Sequence, residues 1–93
     1  MRLELIYFQD CPHVAEARAN VHAALVAAGM RMPVHEWDRD DVAAPPHVRR
    51  YASPTVLVDG RDVSGDSAVS DAASCRAAGA PSAETILRAL EGR

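Results

Sequence analysis

The sequence predicts an α/β domain whose elements run β-α-β-(α)-β-β-α, giving a four-stranded mixed sheet with helices on both faces. Three observations predict it. An apolar run, Leu3 to Phe8, is followed by a long stretch with helical spacing. The pair Asp59-Gly60 follows the apolar run Thr55 to Val58 and leads into Arg61-Asp62-Val63, a hairpin signal. A Ser-initiated amphipathic segment closes the chain. A strand, a right-handed crossover helix and a parallel strand, then a hairpin and a final helix, build one such sheet. With 93 residues the chain fits a single domain, 1–93, and no internal repeat is visible.

Leu3-Glu4-Leu5-Ile6-Tyr7-Phe8 is aliphatic and aromatic with one charge, the composition of a largely buried strand. After Pro12, the residues Val14, Ala17, Val21, Leu25 and Ala28 recur at steps of three and four and line one helix face, with Gly29 as the stop. Pro12 suits the first helical turn, where its missing N–H would have no partner, so Cys11 is expected at or beside the N-cap. Met32 to Trp37 alternates loosely and reads as a second strand, parallel to the first. Asp38 to Asp41 reads as a solvated turn, and the Pro45-Pro46 pair precedes one or two helical turns over His47 to Tyr51. Thr55 to Val58 is a strand, and Asp59-Gly60 takes the positive φ angles of a tight hairpin leading to Arg61-Asp62-Val63. Ser64 to Pro81 lacks a period and reads as a long excursion carrying Cys75. Ser82 caps a last helix whose buried stripe is Ala83, Ile86, Leu87 and Leu90.

Composition narrows the function. Hydrophobic residues make up 48% and charged residues 25%, the balance of a globular protein rather than a disordered one. The net charge of −3 and the scattered arginines leave no electrostatic footprint for nucleic acid. The N-terminal run is too short and too acidic for a signal-peptide core, and nothing approaches the roughly 18 apolar residues of a membrane span. A cytoplasmic location is the expectation, and it disfavours a permanent structural disulfide. Cys11 and Cys75 are then inert, catalytic or metal-binding.

Cys11-Pro12 at the start of the first helix, Ser53-Pro54-Thr55 entering the third strand, and Val58-Asp59-Gly60 closing the hairpin together resemble the thioredoxin-like superfamily, especially its glutaredoxin-sized members. The resemblance spans nearly the whole chain. The chain also resembles small bacterial proteins known only as thioredoxin-family proteins. These carry a similar Ser-Pro-Thr-x-x-Val-Asp-Gly-x-Asp-Val segment and a later Ser-Cys-Arg, here Ser74-Cys75-Arg76. The resemblance implies a cis peptide before Pro54, facing the active cysteine, and a backbone at Ser53 and Thr55 that pairs with an extended substrate strand. It also implies thiol–disulfide exchange. The departure is Val14, which stands where the usual Cys-x-x-Cys site has its second thiol.

On these grounds Cys11 is the expected nucleophile. A helix N-terminus lowers a thiol pKa and a protonated His13 would add to this, whereas Asp10 opposes it. Cys75 is the candidate displaced resolving thiol, provided its Cα comes within about 7 Å of that of Cys11. Pro12, His13, Ser53, Pro54 and Thr55 are the candidate substrate-binding residues. The substrate is a protein disulfide or glutathione, with Arg49, Arg50 and Arg61 as possible carboxylate partners. No cofactor is expected. Cys11, His13 and Cys75 do not form a standard zinc spacing, so no metal residues are assigned. His22, His35 and His47 are expected at the surface or at strand ends, and Trp37 and Tyr51 in the core or at its rim. The rival expectation is a non-catalytic thioredoxin-like module that binds a thiophilic metal or a protein partner. Oligomeric state is left open.

Overall fold

The computed structural model describes residues 1–64 and 79–92. It is an α/β structure with one four-stranded mixed sheet and two α-helices. The strands are β1 (Leu3–Tyr7), β2 (Val34–Asp38), β3 (Thr55–Val58) and β4 (Arg61–Asp62), and the helices are α1 (Val14–Ala28) and α2 (Ala83–Leu90). The spatial order is β2-β1-β3-β4. β1 runs parallel to β2 with Leu3 opposite Val34, and antiparallel to β3 with Leu3 opposite Val58 and Ile6 opposite Thr55. Both inner strands are apolar on both sides, which is why β1 and β3 read as near-continuous hydrophobic runs.

The two sides of the sheet are covered differently. Leu3, Leu5, Val56 and Val58 point to one side, where they pack with Ala17, Val21, Ala24 and Leu25 of α1 and Ile86 and Leu90 of α2. Ile6 and Leu57 point to the other side and meet only Ala44, Val48 and the partly buried Trp37 and Tyr51. Among the described residues the expectation of helices on both faces is corrected. Both described α-helices share one side, and the other carries the 3-10 segment Pro46–Arg50. Pro45 is extended and Pro46 opens the segment, and Tyr51 returns to extended backbone after five residues, too few for a packed α-helix.

Local chemistry explains most boundaries. Gly29 ends α1 in the left-handed conformation at φ 67°, its N–H reaching the carbonyls of Leu25 and Val26. Asp59 and Gly60 both have positive φ, 51° and 82°, as a two-residue hairpin requires. Ser82 Oγ accepts from the Thr85 N–H at 3.1 Å and starts α2. β2 begins at Val34 rather than Met32, because the pairing with β1 starts at Leu3.

The start of α1 also differs from expectation. Cys11 is not at the helix N-cap: the cap is His13, with φ −95° and ψ 0°, and the helix begins at Val14. Val14 N–H donates to the Cys11 carbonyl at 3.4 Å, and the first α-type bond runs from Ala17 N–H to the His13 carbonyl at 3.0 Å. Cys11 to Val14 is thus a type I turn with Pro12 at its second position and His13 at its third, a use of proline as favourable as the first helical turn.

Two charged residues are buried, Arg39 against expectation and Glu4 within a strand read as largely buried. Arg39, within the run read as a solvated turn, is 5% exposed; its Nη2 donates to the Arg49 carbonyl at 2.7 Å and its backbone N–H to Tyr7 at 2.8 Å. Glu4 is 3% exposed, and its Oε2 accepts from Trp37 Nε1 at 2.9 Å and pairs with His47 Nε2 at 2.8 Å. Arg2 Nε lies 3.7 Å from its Oε1. An indole N–H only donates, so Glu4 Oε2 is the acceptor of the Trp37 bond. On the helical side, Glu36 holds the Arg18 guanidinium above its usual pKa range, chiefly by hydrogen bonding and then by charge. Arg18 is ionised at any ordinary pH in any case.

Candidate functional site

The antiparallel pairing of β1 with β3 brings the end of β1 and the start of β3 to the same edge of the sheet. There the peptide of Phe8 is held from both sides. Its N–H donates to Ser53 Oγ at 3.3 Å, and its carbonyl accepts from the Cys11 N–H at 3.1 Å. The Ser53–Pro54 bond is cis, as the resemblance implied. Thr55 Oγ1 donates to the Ala52 carbonyl at 2.5 Å, closing the short loop that enters β3. Cys11, Pro12 and His13 are therefore connected through Phe8 to Ser53, Pro54 and Thr55, although some 40 residues of chain separate the two groups.

The chain re-enters this neighbourhood after the excursion. A Cβ built on Gly79 would lie 3.5 Å from His13 Nδ1, 3.6 Å from Cε1 and 3.7 Å from Cγ, so Gly79 rests against the imidazole ring. About two helical turns further along α1, Asn20 Nδ2 donates to the Pro81 carbonyl at 2.9 Å. Gly79 adopts φ 74°, a conformation that side-chain-bearing residues disfavour. Cys75 lies outside the described residues.

Exposure limits what the site can touch as it stands. Cys11 is 6% exposed, while Ser53 and Thr55 are 0% and 1%. Pro54 is likewise enclosed, Pro12 is open to solvent and His13 is half-buried. Arg49 and Arg50 are exposed on the 3-10 segment. Arg61 pairs with Val58, which faces Leu3, and so sits at the opposite end of the sheet from Cys11. His22 is exposed on the outer side of α1, within a shallow surface lined by Ala15, Arg18, Ala19, Ala23 and Val26. His35 is exposed and stacks on Trp37 with ring centroids 6.0 Å apart. His47, expected at the surface or at a strand end, lies on the 3-10 segment and is engaged with Glu4. The available signal for that pair was Glu4 itself, a single carboxylate inside an apolar strand.

Among the described residues, no group of three or more His, Cys, Asp or Glu side chains comes together in a way that could hold a metal ion. Among the same residues, no helix is long and apolar enough to cross a membrane. A scan against protein-family models and searches of curated proteins and of solved structures return no match.

Proposed function

We propose that this chain is a thioredoxin-like domain that carries out thiol–disulfide exchange through Cys11. The observation that carries this reading is the meeting of three separate segments at one sheet edge. These are the turn bearing Cys11, the cis Ser53–Pro54 entry to β3, and the returning chain at Gly79. The strand order β2-β1-β3-β4, with β1 parallel to β2 and antiparallel to β3, supports the fold assignment. A 3-10 segment stands in the place of the intermediate helix.

In the proposed reaction the Cys11 thiolate attacks one sulfur of a disulfide in a protein or in oxidised glutathione. A bond forms between Cys11 and that sulfur, and the other sulfur leaves as a thiolate that takes up a proton. A second thiolate then attacks the Cys11 sulfur and releases the bound half of the substrate. If Cys75 is that thiol, the product is a Cys11–Cys75 disulfide and two electrons have passed to the substrate. In the absence of Cys75, a second molecule of a small thiol such as glutathione serves as resolver. Pro12 and His13 border the approach to the thiol. Ser53, Pro54 and Thr55 offer backbone to a substrate strand once the edge opens, because they are enclosed in the closed form.

The burial of Cys11 favours a second reading, a module that binds a protein partner or a thiophilic metal without turning over disulfides. Disulfide reduction decides between them. With insulin or oxidised glutathione as substrate, Cys11→Ser is expected to lower the rate at least about a hundredfold. Cys75→Ser is expected to retain the first step and stall as a mixed disulfide. A Cys11→Ser protein that reduces either substrate at the wild-type rate removes the enzyme reading.

A further inference from the structure

We propose that Ser53 is a positioning residue for Cys11, acting through its side-chain hydroxyl on the Phe8 peptide. This rests on the reading of Cys11 as the reacting thiol. The β1–β3 register ends at Ile6 opposite Thr55; continued by two residues it sets Phe8 opposite Ser53. At that position a ladder would supply a backbone carbonyl, but the acceptor of the Phe8 N–H is Ser53 Oγ, at 3.3 Å. The chain of bonds then continues. The Phe8 carbonyl takes the Cys11 N–H at 3.1 Å, and the Cys11 carbonyl takes the N–H of Val14, the first residue of α1, at 3.4 Å. The start of β3 is thereby linked to the start of α1 through three hydrogen bonds, with Cys11 between the second and the third.

Ser53 is 0% exposed and Phe8 is half-buried, so a Phe8 N–H that loses Oγ is left without its acceptor in a partly enclosed place. An enclosed amide without an acceptor is costly, so the backbone at Phe8 is expected to shift, and because the Phe8 carbonyl lies just across the same Cα, the shift weakens the bond from the Cys11 N–H as well. The hydroxyl therefore fixes the orientation of the turn that carries the thiol, and it keeps that thiol closed to solvent until the edge opens.

The test combines amide hydrogen exchange with Cys11 alkylation, in a Cys75→Ser background so that one thiol is read. In Ser53→Ala the Cys11 amide is expected to exchange on the order of fivefold faster than in the parent, and Cys11 alkylation to accelerate by a similar factor. The Asp59 amide, bonded to the Arg2 carbonyl at 2.8 Å at the opposite end of the β1–β3 pairing, serves as the reference for any global loss of stability. Equal acceleration at Cys11 and Asp59 would mean a merely structural role and overturn the proposal. So would a Phe8 amide that exchanges without protection in the parent protein, a result that needs no variant to fold. If Cys11→Ser leaves disulfide reduction intact, the nucleophile reading fails, and the exchange result at Cys11 is unaffected by that failure.

Discussion

His13 closes the Cys11 turn, starts α1 and carries the ring against which the returning chain rests at Gly79. The space for a methyl group exists there, since a Cβ at Gly79 would meet the ring at ordinary contact distance. The constraint on Gly79 is its backbone: φ 74° places an L side chain in the left-handed region. Gly79→Ala is therefore expected to cost about 1 kcal/mol of stability, read as a lower midpoint in urea denaturation. A variant as stable as the parent would contradict that assignment. Cys11 illustrates how one residue can mark a site while its surroundings stay hidden. Pro12 serves equally well at the second position of a type I turn and in the first turn of a helix, and the sequence alone favours the helix. The turn is decided by the bond from Val14 N–H to the Cys11 carbonyl, and it moves Cys11 two residues ahead of the cap.

At the scale of elements, α1, the hairpin and α2 are legible because their signals are local: Gly29 at a helix end, Asp59-Gly60 between strands, and Ser82 three residues before the N–H that it caps. The layer over Ile6 and Leu57 is not legible, because its polar contacts join distant positions. Glu4 meets Trp37 and His47, and the Arg39 side chain meets the Arg49 carbonyl, so two charges are buried that composition places at the surface. Glu4 ties β1 to β2 and to the 3-10 segment at once. Its carboxylate is far more enclosed than the His47 ring, with side-chain exposures of 4% and 37%. Removing the histidine takes a close partner from the buried carboxyl and leaves it with Trp37 Nε1 and the more distant Arg2. His47→Ala is expected to destabilise by about 2 kcal/mol, and the double variant Glu4→Gln/His47→Ala to recover part of that loss. Chemical denaturation of the four proteins in the cycle measures the coupling. Strictly additive losses would show that the pair contributes no specific interaction.

Among the described residues, one side of the sheet is built from helices and the other from a short polar-tethered segment, with the Cys11 edge where β1 ends and β3 begins. The sequence marks both halves of that edge, Cys11-Pro12 and Ser53-Pro54, but their connection is a side chain to backbone bond across 45 residues, which no local pattern encodes. The closed state of the edge was equally hidden: Cys11 is 6% exposed and Ser53 is fully enclosed. The proposed thiol exchange at such a residue requires local opening of the edge, an event that costs less than global unfolding where few apolar contacts must break. The most direct measurement is to incubate the Cys75→Ser protein with oxidised glutathione in native buffer and map adducts by peptide mass spectrometry, with unfolding followed in parallel. The account predicts a glutathione mixed disulfide on Cys11 that forms well below the denaturation midpoint. Cys11 left unmodified until the protein unfolds would contradict it.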